Sequence, residues 1–256
     1  MIKFEIIEGV GKIILDRPEK YHSFVREMAL QLQDTLDKCG NNDKVRAIFI
    51  TASGKAFCAG QDLAEAIDPS IPSISKIIQE HYNPIIRKIR NIEKPVIAAV
   101  NGVAAGAGAS LALACDIIVA AESASFVQAF SKIGLIPDSG ATFFLPRLIG
   151  MQKATALMMS AEPILAKDAE TMGMIYKSYS DESFELESWK LVSKLAKMPT
   201  IGLGLTKRLL NASISNDLED QLTMEDKCQV IAADTNDFKE GVQAFLEKRK
   251  ANFKGK

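Results

Sequence analysis

Two histidines and no cysteine pair at CxxC spacing leave this chain of 256 residues without the donor sets that hold a structural or catalytic metal. The four cysteines, Cys39, Cys58, Cys115 and Cys228, stand far apart. Cys58 and Cys115 fall in apolar runs, so they read as reduced, packed thiols of a cytoplasmic protein. An excess of charge is missing too. With 31 Lys and Arg against 32 Asp and Glu, the net charge of −1 speaks against a general affinity for nucleic acid or for a membrane surface. No run approaches the ~20 apolar residues of a membrane span. The opening MIKFEIIEGVGKIILD alternates like a strand and lacks the charged, apolar and cleavage regions of a signal peptide. No repeat or low-complexity tract appears. What remains is ordinary globular composition at a size suited to one core.

Patterning along the chain points to an α/β protein. Two alternating strands, 2–8 and 11–15, flank Gly9 as a hairpin. Ser23 precedes a helical pattern over 24–39 with Met28, Leu32 and Leu36 on one face. Buried strands are predicted at 45–51, 95–100 and 117–121, with a helix over 77–92 and a Pro- and Ser-rich loop over 68–75. Strands buried on both faces and separated by helices imply a parallel sheet. Beyond Thr142 the pattern turns helical, with segments at 146–159, 166–172, 184–196, 201–212, 218–233 and 237–251. The amphipathic tail from about residue 195 needs a surface to pack against.

Chemistry concentrates at residues 101–142, where a small-residue turn, a helix, a strand and a second turn follow one another. Gly106-Ala107-Gly108 lets backbone N–H groups approach a ligand at the positive end of the following helix, an arrangement suited to an oxygen that becomes negative. Tight helix packing explains the same glycines, and both readings stand at this point. Asp138 is the one acidic residue of the second turn. Asn101 and Asp116 read as structural polar groups, and Trp189 as packing. His81 and Tyr82 lie on the helix bordering the candidate pocket.

Asp16-Arg17-Pro18, the run KAFCAGQDL from Lys55, KPVIAAVNG from Lys94, Cys115-Asp116-Ile117, Gly134-Leu135-Ile136-Pro137 and EGVQAFLEKR from Glu240 occur in one order across nearly the whole chain. In that order the chain resembles the crotonase superfamily, also called the enoyl-CoA hydratase/isomerase family. The resemblance implies a ββα spiral core over residues 1–194 and a helical trimerisation region over 195–256, often assembled as a dimer of trimers. It also implies a coenzyme A thioester as substrate and no separate cofactor. Carried over residue by residue, the oxyanion donors are the backbone N–H groups of Gln61 and Ala107. Ala59, Gly60, Asp62, Gly106 and Phe130 would line the thioester, and Arg17, Lys20, Lys55 and Lys248 are candidate partners for the CoA phosphates.

The hydratases of this family place two glutamates over the substrate; here Ser110 and Phe130 stand at those positions. Hydration needs an activated water and a delivered proton, and neither residue supplies a carboxylate. Asp138 occupies a turn where some isomerases of the superfamily carry their acid. One carboxylate that takes a proton from one carbon and returns it to another performs an isomerisation, and apolar neighbours such as Phe126, Phe130 and Ile136 should raise its pKa. The phrases FCAGQDL, FVQAFSKIGLIPDSG and PTIGLGLTK look closer to the branch that isomerises ring-1,2-epoxyphenylacetyl-CoA to an oxepin and shifts 3-enoyl to 2-enoyl-CoA. An enoyl-CoA hydratase and a non-catalytic acyl-CoA-binding subunit are the alternatives.

Overall fold

The computed structural model describes residues 1–67 and 73–256. A six-stranded sheet carries the order β1-β2-β3-β5-β7-β10, built from Ile2–Ile7, Val10–Leu15, Ala47–Ala52, Val96–Val100, Ile117–Ala121 and Lys177–Tyr179. A smaller sheet, β4-β6-β8-β9, uses Ala56–Cys58, Val103–Ala105, Ser125–Val127 and Ile164–Leu165. β1 and β2 are antiparallel, and Glu8 and Gly9 between them both hold positive φ, the geometry of a tight hairpin matched to strand twist. From β2 to β10 every pairing of the large sheet is parallel. β3, β5 and β7 each hand the chain to a short strand of the second sheet, β4, β6 and β8, so the chain winds as a spiral of paired strands. The architecture is α/β with two sheets and a helical C-terminal part, the spiral that the sequence leads one to expect.

The helices are α1 (Arg26–Asn41), α2 (Leu63–Ala66), α3 (Ile74–Ile77), α4 (Asn83–Asn91), α5 (Ala107–Leu113), α6 (Ala141–Ile149), α7 (Met151–Ser160), α8 (Ala166–Thr171), α9 (Asp181–Leu195), α10 (Thr200–Ala212), α11 (Leu218–Ala233) and α12 (Asn236–Leu246). Met28, Leu32 and Leu36 of α1 are fully buried, as their spacing predicts. Trp189 packs edge-on against Phe49 at 5.6 Å.

Several boundaries differ from the sequence expectation, each for a local reason. α1 begins at Arg26, and Phe24 is extended, because its backbone pairs with the strand-like segment at Gln61. Ser23 therefore caps nothing and accepts from Arg17 instead. The helix expected over 146–159 is two helices, because Gly150 with φ of 79° breaks the chain between α6 and α7, and Pro146 sits inside α6. The helix expected over 237–251 ends at Leu246, after which Lys248 turns left-handed. Part of the loop expected at 68–75 lies outside the described residues, and from Ile74 the chain is already helical.

Buried charge ties the C-terminal helices to the core. The Lys207 ammonium of α10 donates to the carbonyls of Ile89 and Lys94 at 2.6 and 3.2 Å and pairs with Asp116 at 2.7 Å. Asp116 also accepts from the Val96 N–H at the start of β5, which makes it structural. Breaking such a pair strands a buried charge. Lys207→Met is expected to lower the unfolding free energy by about 3 kcal/mol, measured by chemical denaturation; an unchanged midpoint would show that α10 holds without the pair.

Candidate active site

Two turns that are distant in sequence meet at the edge of the small sheet. The first follows β4. Here the Phe24 N–H donates to the Gly60 carbonyl at 2.7 Å and the Asp62 N–H to the Phe24 carbonyl at 2.9 Å. In this parallel pairing Phe24 bonds to the residues on either side of Gln61, so the N–H of Gln61 faces away from Phe24. The second turn joins β6 to α5. Gly106 adopts φ 52° and ψ −125°, a conformation open essentially to glycine alone, and Ala107 begins the helix. Neither the Gln61 nor the Ala107 N–H has an acceptor among the described residues.

The approach of the two turns is set by missing side chains. A Cβ at Gly60 would stand 3.0 Å from the Ala105 carbonyl oxygen and 3.2 Å from the Ala107 nitrogen. One at Gly108 would fall 2.2 Å from the Cys58 carbonyl oxygen. The packing reading of these glycines holds: Gly108 brings the first turn of α5 against β4, and Gly60 lets the turn after β4 pass close to Ala105 and Ala107. The Ala107 N–H at the positive end of α5 thus lies close to the turn that carries Gln61.

The side chains carried over to the site by resemblance are mostly apolar or already engaged. Ser110 is fully buried and its hydroxyl donates back to the Gly106 carbonyl at 3.2 Å. Phe130 is buried, its ring edge about 3.9 Å from the position a Cβ on Gly106 would take. Asp138 precedes Ser139 and Gly140, both at positive φ, in the turn that starts α6. Ser139 Oγ donates to Asp138 Oδ1 at 2.9 Å. Burial raises the pKa of the Asp138 carboxyl, and the Ser139 hydrogen bond only partly offsets it. Ile136 contributes little to that burial, because its side chain is largely exposed.

Arg17 and Asp62 are turned to each other. Arg17 Nη2 lies 2.8 Å from Asp62 Oδ2, and Asp62 also caps α2 by accepting from the Ala64 N–H. Burial pushes the Asp62 pKa up, but the hydrogen bonds from Arg17 and Ala64 hold it below the ordinary value. The pair braces the first turn; neither charge is turned outward to meet a phosphate. Lys20 and Ala59 are exposed beside that turn, Lys55 is exposed just before β4, and Lys248 is exposed beyond α12 with no hydrogen bond or ion pair to the site among the described residues. No group of three or more metal-ligating side chains occurs among the described residues. A groove of about 790 Å³ lies elsewhere, between the large sheet and α9, lined by Phe49, Thr51 and Trp189.

Tyr82, expected on a helix bordering the pocket, reaches the first turn. Its hydroxyl donates to Gln61 Oε1 at 2.8 Å, and its phenol pKa is raised well above the ordinary value by burial first, then by charges that include Asp138. Tyr82 thus connects the first turn with the neighbourhood of the acid.

The family described as enoyl-CoA hydratase/isomerase matches residues 5–256. The 1,2-epoxyphenylacetyl-CoA isomerase of Escherichia coli (strain K12) is 44% identical over 252 residues, covering 97% of this chain and 96% of its own. A Rhodobacter capsulatus protein named "Probable enoyl-CoA hydratase" is 42% identical over 255 residues, covering 100% of this chain and 98% of its own. The crystal structure of enoyl-CoA hydratase from Bacillus anthracis superimposes with a TM-score of 0.93 at 32% identity, covering 100% of this chain and 99% of that one.

Proposed function

The chain belongs to the enoyl-CoA hydratase/isomerase family, and from that premise we propose that it is a CoA-thioester isomerase with Asp138 as its single acid/base. The carrying observation is the buried carboxyl of Asp138 in the turn that starts α6, held by no cation among the described residues, where Ser110 and Phe130 offer no acid and the Asp62 and Glu65 carboxylates are engaged by Arg17 and by Gln61 with the Arg26 N–H. With a 3-enoyl-CoA the Asp138 carboxylate takes a proton from C2, and the electron pair spreads onto the thioester oxygen and C4. The N–H groups of Gln61 and Ala107 hold that oxygen as it becomes negative. The Asp138 carboxylic acid then returns the proton to C4, which yields the 2-enoyl-CoA and restores the carboxylate. Likeness to the Escherichia coli relative favours ring-1,2-epoxyphenylacetyl-CoA as a further substrate, opened to the oxepin in the same site.

Assembly belongs to the same proposal. Leu218, Val230, Phe245 and Leu246 are exposed on the C-terminal helices, a surface that fits burial against other copies of the chain in a homotrimer or a dimer of trimers. No helix among the described residues is long and apolar enough to cross a membrane.

Hydration is the second reading, favoured by the Rhodobacter capsulatus relative. Product analysis separates the two. Given 3-hexenoyl-CoA, the protein is expected to form 2-hexenoyl-CoA, and given 2-hexenoyl-CoA it is expected to add no water. Accumulation of 3-hydroxyhexanoyl-CoA without any double-bond shift would replace the isomerase with a hydratase.

A further inference from the structure

The helical stretch containing Tyr82 is irregular. Between α3 and α4 the turn Ile78–Tyr82 is π-helical, which inserts a residue, rotates the following side chains about the axis and loosens backbone carbonyls. Gln33 of α1 fastens the loosened turn, its Nε2 donating to the carbonyls of Glu80 at 2.7 Å and His81 at 3.2 Å. Tyr82 is thereby buried, with its ring 5.8 Å from that of Phe24, and its hydroxyl meets Gln61 Oε1. The other end of the Gln61 amide donates to Glu65 Oε2 at 2.7 Å. Glu65 Oε1 in turn accepts from the Arg26 N–H at 2.8 Å, at the start of α1.

Gln61 is therefore held at both ends of its side chain while its backbone N–H stays free. The two share one Cα, so a side chain that cannot turn limits how far the peptide can turn. We propose that Tyr82 is a positioning residue, which aims the Gln61 N–H at the thioester oxygen by latching the Gln61 side chain against Glu65. Its phenol stays protonated because burial disfavours the phenolate, so it remains a donor at the pH of the reaction. Phe24 contributes at both levels, its ring packed at a tilt of 51° beside that of Tyr82 and its backbone paired around Gln61. The inference rests on the proposed isomerase chemistry only for its kinetic readout; the latch itself concerns any thioester carbonyl in this site.

Tyr82→Phe keeps the ring and removes the donor; Gln61→Leu keeps the backbone N–H and removes the latch. Hexanoyl-CoA, which has no double bond to move, serves as the probe, with its thioester carbonyl stretch followed by infrared difference spectroscopy. Binding to the wild-type protein is expected to lower the carbonyl frequency, and both variants are expected to move it back toward that of free hexanoyl-CoA. On 3-hexenoyl-CoA each variant is expected to lose ~10-fold in kcat with little change in KM, and the double variant to lose no more than either one. A purely structural tyrosine would lower thermal stability and leave the carbonyl band where the wild type puts it. A carbonyl band that both variants leave at the wild-type frequency overturns the latch while leaving the isomerase standing. If the wild type isomerises nothing, the isomerase proposal fails, and the carbonyl band still decides the latch.

Discussion

Asp138→Asn is expected to lower turnover of 3-hexenoyl-CoA by ~10²–10⁴-fold while CoA-thioester affinity stays near that of the wild type. Asparagine keeps the size of the side chain and an oxygen for the Ser139 hydroxyl, which donates to Oδ1. What it removes is the lone pair that accepts a proton from carbon. Ser110 offers no substitute, because its hydroxyl is turned back onto the Gly106 carbonyl. The same substitution should stabilise the fold. Burial raises the Asp138 pKa in the folded chain, so the folded state holds this proton more tightly than the unfolded state. The corresponding stability is present while Asp138 is protonated and is lost as pH rises from the unfolded carboxylate value through the folded one. Above the unfolded carboxylate value the buried acid therefore opposes folding, and Asn carries no such proton linkage. A thermal melt at pH 7 should place Asp138→Asn above the wild type in Tm. Turnover of the wild type should fall as pH drops through a pKa above the ordinary aspartate value. An Asp138→Asn protein with wild-type turnover would remove this residue from the reaction.

Gly108→Ala is expected to lower kcat by ~10²-fold or more, the scale of losing one oxyanion donor. The added methyl would fall 2.2 Å from the Cys58 carbonyl oxygen and 2.7 Å from its Cβ, and neither atom is the free end of a flexible chain. Relief requires α5 to back away from β4. Ala107 opens that helix and Gln61 lies three residues beyond the end of β4, so the two candidate donors separate when the two elements do. Gly134 makes a useful contrast, since an added Cβ there meets nothing within 4 Å. Steady-state kinetics on 3-hexenoyl-CoA, with circular dichroism to check that the variant folds, decides the matter. Wild-type kcat in a folded Gly108→Ala protein would mean that the spacing of the two turns does not control the reaction.

Much of this architecture is legible in the residues. The runs at 96–100 and 117–121 are apolar throughout and become the central parallel strands, buried on both faces. Gly106 and Gly108 mark the approach of two backbones, and the acid at Asp138 stands out once Ser110 and Phe130 prove to be non-acidic. The small sheet was not legible, because strands of three residues such as Val103–Ala105 and Ser125–Val127 show no period. The start of α1 misleads for a different reason: Phe24 carries an apolar side chain at helical spacing, but its backbone is claimed by a segment 37 positions away. That Arg17 pairs with Asp62 at 2.8 Å has no mark in the sequence, where the two residues stand 45 positions apart. The π-helical turn at Tyr82, whose hydroxyl meets Gln61, has no compositional mark. Breaks in regular structure place the polar groups, and periodicity reports only the regular part.

A crystal structure with hexanoyl-CoA in the site tests the account most directly. The account places the thioester oxygen ~3 Å from the N–H groups of Gln61 and Ala107, with an Asp138 carboxyl oxygen ~3–3.5 Å from C2 and within reach of C4 on the same face of the acyl chain. An Asp138 carboxyl directed away from both carbons, with the thioester oxygen still held by the two peptide groups, would contradict it.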